Sequence, residues 1–159
     1  MSGNELSDFR RDNIGFIFQA YNLIPVLTVE ENIEYIMLLQ SVPKIERHRR
    51  VTAMLDEVGL TGFANRKPPQ LSGGQQQRVA IARAMVSQPT IILADEPTAN
   101  LDSKTGTGLL DMMMALNEQT GMTFIFSTHE QMVMDRAKRL ILLKDGQVES
   151  DEIRSQGRC

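Results

Sequence analysis

Apolar residues fall into short runs separated by longer stretches of helical periodicity. Residues 1–12 are polar, with Arg10 and Arg11, and no element is assigned to them. Asn13-Ile14-Gly15-Phe16-Ile17-Phe18 is rich in Ile and Phe and predicts a buried strand ending at Gln19. A loop with Pro25 covers residues 21–27. Thr28, with Glu31 three positions on, has capping-box spacing and predicts a helix to about Gln40. Pro43 suits the first turn of the next helix. There Val51, Met54, Leu55 and Val58 recur at i, i+3, i+4, i+7, and Gly59 is the stop. Arg47, His48, Arg49 and Arg50 predict a solvated helix face.

Beyond the rigid Lys67-Pro68-Pro69 loop, Ser72 and Gln75 repeat the capping-box spacing. They predict a helix to about Val86, closed by Gln88-Pro89. Thr90-Ile91-Ile92-Leu93-Ala94 is continuously apolar and β-branched, as a strand covered on both faces should be. Ser103 is the expected cap of a helix from Lys104 to about Glu118. Its Leu109, Met112, Met113 and Leu116 fall at helical spacing, and Gly121 stops it. Residues 122–127 predict another strand, Thr128-His129 follow, and then a short helix. Asp145-Gly146 between residues 139–144 and 147–150 signals a hairpin. Strand–helix–strand alternation implies an α/β fold with parallel strands. The helical stretch forms a subdomain at about 23–88. The sheet core takes 9–22 and 89–159, the whole being one partial domain.

Composition narrows the class. The 159 residues carry 17 basic and 20 acidic side chains, a net charge of −3, with 42% hydrophobic residues. That is ordinary for a globular chain and argues against a nucleic-acid binder, which usually carries a basic excess. The single cysteine, Cys159, cannot form an internal disulfide, and a reducing compartment is expected. No apolar run approaches the roughly 20 residues of a membrane span, and no signal peptide is visible.

Four groups carry candidate chemistry. Asp95 and Glu96 follow an apolar strand. Ligands of open parallel sheets bind beyond the strands' carboxyl ends, where an Asp can hold Mg²⁺ and a Glu can take a proton from water. Leu71-Ser72-Gly73-Gly74-Gln75 joins two glycines to a helix start, a phosphate-binding design that also reads as a plain capped helix. His129, past a strand end on the same sheet edge, could touch a terminal phosphate. Gln19, at the first strand's end, could ligate Mg²⁺ or orient water.

Taken in order, Gln19, Leu-Ser-Gly-Gly-Gln, strand-Asp95-Glu96-Pro97-Thr98, Asn100-Leu101-Asp102 and Ser-Thr-His129 resemble the ATP-binding cassette (ABC) ATPase family. Ser72 and Asp95 lie 23 positions apart, and the likeness runs from about Phe9 to Ser150. Phe18-Gln19-Ala20-Tyr21-Asn22-Leu23-Ile24-Pro25 looks like the subgroup serving lipoprotein release and macrolide export. The resemblance implies a P-loop NTPase-type domain with a helical subdomain, ATP and Mg²⁺ as cofactors, and ATP hydrolysis coupled to transport. By resemblance Gln19 is the Q-loop glutamine, touching metal and water. Asp95 is the Walker B metal ligand, Glu96 the general base and His129 the switch histidine. Ser72, Gly73, Gly74 and Gln75 meet the γ-phosphate of ATP held by a partner subunit, and Asp102 sits in the D-loop across that interface. Expected partners are a membrane permease, met around residues 21–31, and a second ATPase subunit or a second copy; no nucleic acid is expected. The expected location is cytoplasmic, peripheral on the inner face of the cell membrane. DNA-repair and translation members would show coiled-coil insertions or a duplicated cassette, and neither is present.

One family element has no match. No Gly-x4-Gly-Lys-Ser/Thr occurs in these residues, and the adenine-stacking aromatic is missing too. The expectation is a cassette lacking its N-terminal strands and P-loop, a unit of about 30 residues or more upstream of Met1. A non-catalytic module that docks a permease or partner ATPase is the alternative.

Overall fold

A computed structural model describes residues 3–154, so Cys159 lies outside the described residues. The chain divides into two compact units, one ending at Ser127 and one beginning at Thr128.

The first unit opens with helix α1 (Gly3–Asn13), where the apolar pattern assigns no element. None of its residues is buried. Local charge holds it: Glu5 sits in the first turn, Arg10 and Arg11 in the last, complementing the helix dipole. Arg11 also pairs with Asp8 at 3.0 Å and Asp12 at 2.8 Å.

Strand β1 (Ile14–Ile17) follows, then α2 (Val29–Leu39), α3 (Lys44–Glu57), a 3-10 turn (Pro68–Gln70) and α4 (Gly73–Met85). The Thr28/Glu31 capping box forms on α2 as expected. On α3, Pro43 is the N-cap residue, Val51, Met54 and Leu55 are buried, and Gly59 ends the turn at φ 69°. Arg49 and His48 face solvent, but Arg47 turns inward to Glu34 at 2.9 Å and to the Val42 carbonyl.

Strand β2 (Ile91–Asp95), α5 (Ser103–Thr120) and β3 (Thr123–Ser127) complete the unit. The sheet order is β1-β2-β3, all parallel, with Phe16, Leu93 and Ile125 in register. Ile17, Ile92 and Ala94 are buried in one cluster with Val79, Ile81 and Met85 of α4 and Leu109, Met113 and Leu116 of α5. Gly15 permits the close approach, since a Cβ there would strike the Ala84 carbonyl oxygen. The expectation that β2 is covered on both faces holds fully on one: Ile92 and Ala94 are buried, while Ile91 and Leu93 are half-buried and Leu93's neighbours Phe16 and Ile125 are 39% and 50% exposed. The cap of α5 is Asp102 rather than Ser103, because its carboxylate accepts from the Thr105 amide at 3.0 Å.

The second unit holds α6 (Gln131–Met134) and an antiparallel hairpin of β4 (Arg139–Lys144) and β5 (Gln147–Ile153). Asp145 at φ 50° and Gly146 at φ 76° make the tight turn its sequence announces. Arg139 grips Asp151 through two bonds of 2.8 and 2.6 Å. Among the described residues no helix is long and apolar enough to cross a membrane.

Candidate nucleotide site

Strand β2 ends in Asp95, whose carboxylate is exposed beyond the sheet's C-terminal edge. Glu96 turns the chain sharply with φ 44°, a left-handed conformation uncommon for a non-glycine residue. Its amide stays anchored, donating to the Ser127 carbonyl at 2.9 Å. The next segment, residues 97–102, crosses this edge before α5 begins.

Gln19 lies two residues beyond β1, in the loop leading away from the same edge. The Asn100 side-chain amide donates to the Gln19 carbonyl at 2.9 Å, tying the two loops together. Tyr21 and Asn22 adopt left-handed φ of 60° and 49°. The guanidinium of Arg83, on α4, donates to both of their carbonyls, to Tyr21 at 2.9 Å. Burial lowers the Arg83 pKa from its ordinary value.

Ser72 caps α4 reciprocally: its hydroxyl accepts from the Gln75 amide at 3.3 Å, and the Gln75 side chain accepts from the Ser72 amide at 2.9 Å. The cap leaves the Gly73 and Gly74 amides as the open donors of the helix start. The two glycines also serve packing. A Cβ at Gly73 would sit 3.0 Å from the Tyr21 hydroxyl, and one at Gly74 2.6 Å from Thr105 Cγ2. Thr105 in turn donates to Asp102 at 2.6 Å, and these bonds hold the Asp102 carboxyl below its usual range.

The first unit therefore links Gln19, the turn at 72–75 and the segment 95–102. His129 is exposed in the second unit, two residues after β3 ends. Sequence reading passed over Asn100 and Arg83 as positioning groups. Both act on backbone carbonyls distant in sequence, and the one local signal was the run Asn100-Leu101-Asp102.

Among the described residues no group of three or more His, Cys, Asp or Glu could cage a metal. Mg²⁺ does not need one: it is held through one or two carboxylates with waters and phosphate oxygens. Asp95, exposed at the end of β2, offers one such carboxylate.

A family profile described as ABC transporter matches residues 1–99. The chain belongs to the ABC transporter family. An uncharacterized ABC transporter ATP-binding protein of Methanocaldococcus jannaschii, MJ0796, is 49% identical over 156 residues. The alignment takes in 96% of this chain and 66% of that protein, so the chain spans slightly under two thirds of its relative. The macrolide export ATP-binding/permease protein MacB of Brucella melitensis is 45% identical over 95% of this chain and 23% of its own length. The pyoverdine export protein PvdT of Pseudomonas entomophila is 45% identical, with 98% and 24% covered. A dimeric structure of MJ0796 superposes with a TM-score of 0.84 at 48% identity, covering 96% of this chain and 68% of that one. A second, at 0.83, is a dimer in a post-hydrolysis state bound to ADP and Pi. These neighbours match the expected α/β cassette fold with parallel strands.

Proposed function

We propose that this chain provides the Q-loop, signature and Walker B part of an ATP-hydrolysing subunit that drives export or lipoprotein release through a membrane permease. The observation that supports it best is the joining of three sequence-distant segments at one edge of a parallel sheet: Asn100 to Gln19, and Gly74 against Thr105 beside Asp102.

In this reading Glu96 accepts the proton of the attacking water, and Gln19 orients that water. Asp95 and Gln19 would hold Mg²⁺, which when bound neutralises phosphate charge. Ser72, Gly73, Gly74 and Gln75 present a hydroxyl, open amides and a helix N-terminus to the γ-phosphate of ATP on a facing cassette. Asp102 lies across that interface, and His129 contacts the γ-phosphate. Residues around 21–31 face the permease. The subunit works from the cytoplasmic side, attached through that partner.

The 159 residues contain no Gly-x4-Gly-Lys-Ser/Thr, so by themselves they offer the signature side of a shared site rather than a full phosphate cradle. The test is MgATP-dependent association with a complete cassette such as MJ0796, followed by analytical ultracentrifugation. Association is expected with ATP and absent without it. Ser72→Asp keeps a good helix cap but sets a negative charge against the γ-phosphate, and is expected to abolish it. No association with ATP, or equal association of Ser72→Asp, overturns the reading.

A further inference from the structure

Two buried carboxamides in the first unit contrast sharply. Asn32, 1% exposed, is saturated: its amide donates to the carbonyls of Ile24, Leu27 and Thr28, and its oxygen accepts from the Ile24 amide. Gln77, 0% exposed in the second turn of α4, is half satisfied. Its Nε2 donates to the Pro97 carbonyl at 2.7 Å, while its Oε1 has no partner. A buried orphan acceptor costs free energy, which offsets part of what the bond from Gln77 to Pro97 contributes to the fold.

Its one bond falls on the segment where position matters. Pro97 has no N–H, and its carbonyl is the only polar handle that residue offers. It adjoins Glu96, which is held at φ 44°. Such a backbone persists only when its surroundings over-determine it. The Glu96 amide is fixed to Ser127, and the Ala99 amide returns to the Glu96 carbonyl at a long 3.3 Å. Between them, Gln77 fixes the plane of the peptide that follows Pro97. Gln77 also lies on the helix that begins at Ser72, about 7–8 Å along its axis.

We propose that Gln77 is a positioning residue: its carboxamide clamps the Glu96-Pro97 turn to the helix capped by Ser72, so that the direction of Glu96 follows that helix. The inference rests on the reading of Glu96 as the base, but the clamp itself exists without nucleotide and is measured without it.

The test is amide hydrogen exchange on the 159-residue chain, wild type against Gln77→Met, with the urea midpoint of each. Met keeps the length and drops the donor. Protection of the Glu96, Ala99 and Leu101 amides is expected to fall about tenfold or more, while amides in α2 and the urea midpoint change by less. A uniform loss of protection, or an unchanged 96–101 segment, overturns the proposal. Should Gln77→Met not fold, wild type decides: the Gln77 side-chain amide protons must exchange well below the rate of those of Gln75, and equal rates overturn it. Loss of the clamp with ATP-dependent association intact removes this inference alone. A clamp without that association removes the nucleotide reading and leaves a purely structural bond.

Discussion

Replacing Arg83 by Met tests how the loop after Gln19 is held. Met preserves most of the aliphatic stem and deletes the guanidinium that donates to the Tyr21 and Asn22 carbonyls. A hydrogen bond from a charged donor contributes about 1.5–3 kcal/mol, so two amount to about 3–6 kcal/mol before losses. Desolvation of the partly buried guanidinium opposes this gain, as the lowered Arg83 pKa records. The two residues being held are left-handed, and each costs about 1–2 kcal/mol to keep that way. With the clamp gone the loop relaxes and recovers part of that strain. The net destabilisation is then about 2 kcal/mol, inside the common range for loss of a polar network. With an m-value of about 1–3 kcal/mol/M in urea, the midpoint falls by roughly 1 M. Equilibrium unfolding followed by circular dichroism at neutral pH reads it directly. Arg83→Lys recovers little, because an ammonium lacks the planar fork that spans two carbonyls. A Met variant within about 0.2 M of wild type, or full recovery by Lys, refutes the reasoning.

Three further outcomes follow from the packing and the charges. Gly15→Ala puts a methyl onto the Ala84 carbonyl oxygen and 2.6 Å from Ile92 Cδ1. It is expected to cost about 1–3 kcal/mol, seen as a Tm lowered by several degrees; an unchanged Tm contradicts the packing described. Gly74→Ala meets Thr105 Cγ2, so pairing it with Thr105→Ser, which keeps the hydroxyl and deletes that methyl, recovers most of the lost Tm; strictly additive losses argue against the contact. Arg49 and Arg50 hold the Glu46 carboxyl down to about 2 from 4.5. A depressed carboxyl stabilises fully above its unfolded pKa and loses that contribution as pH falls toward the folded value. Glu46→Gln should therefore flatten the fall of the urea midpoint between about pH 5 and pH 2, and parallel curves would count against the pairing.

Much of the fold could be read locally. Thr28 with Glu31 and Ser72 with Gln75 formed the capping boxes their spacing announces, and Asp145-Gly146 made the hairpin turn. The parallel sheet followed from apolar strands separated by helices. Helix α1 was not legible, because charge pairs rather than a buried stripe sustain it. The cap of α5 slipped by one residue because two good capping side chains, Asp102 and Ser103, stand adjacent. The half-exposed face bearing Phe16 and Ile125 was not foreseen, since a continuous apolar run looks the same whether or not a second layer is present. At the site, motif order picked out the candidate residues. It could not show that Gly73 and Gly74 make room for Tyr21 and Thr105, nor that Asn100 and Arg83 tie their loops by bonds to carbonyls. Those bonds join positions 61 to 81 residues apart in sequence, beyond the reach of any local pattern.

The central claim is that Glu96, beside Asp95 at the end of β2, is the base of an ATPase site. It is tested most directly by joining this chain to the part of MJ0796 that it does not span and following single-turnover hydrolysis of MgATP. The account predicts hydrolysis by the joined protein, and a rate about 100-fold or more lower in Glu96→Gln with nucleotide binding retained. A Glu96→Gln protein that binds MgATP and hydrolyses it at the unsubstituted rate contradicts the account.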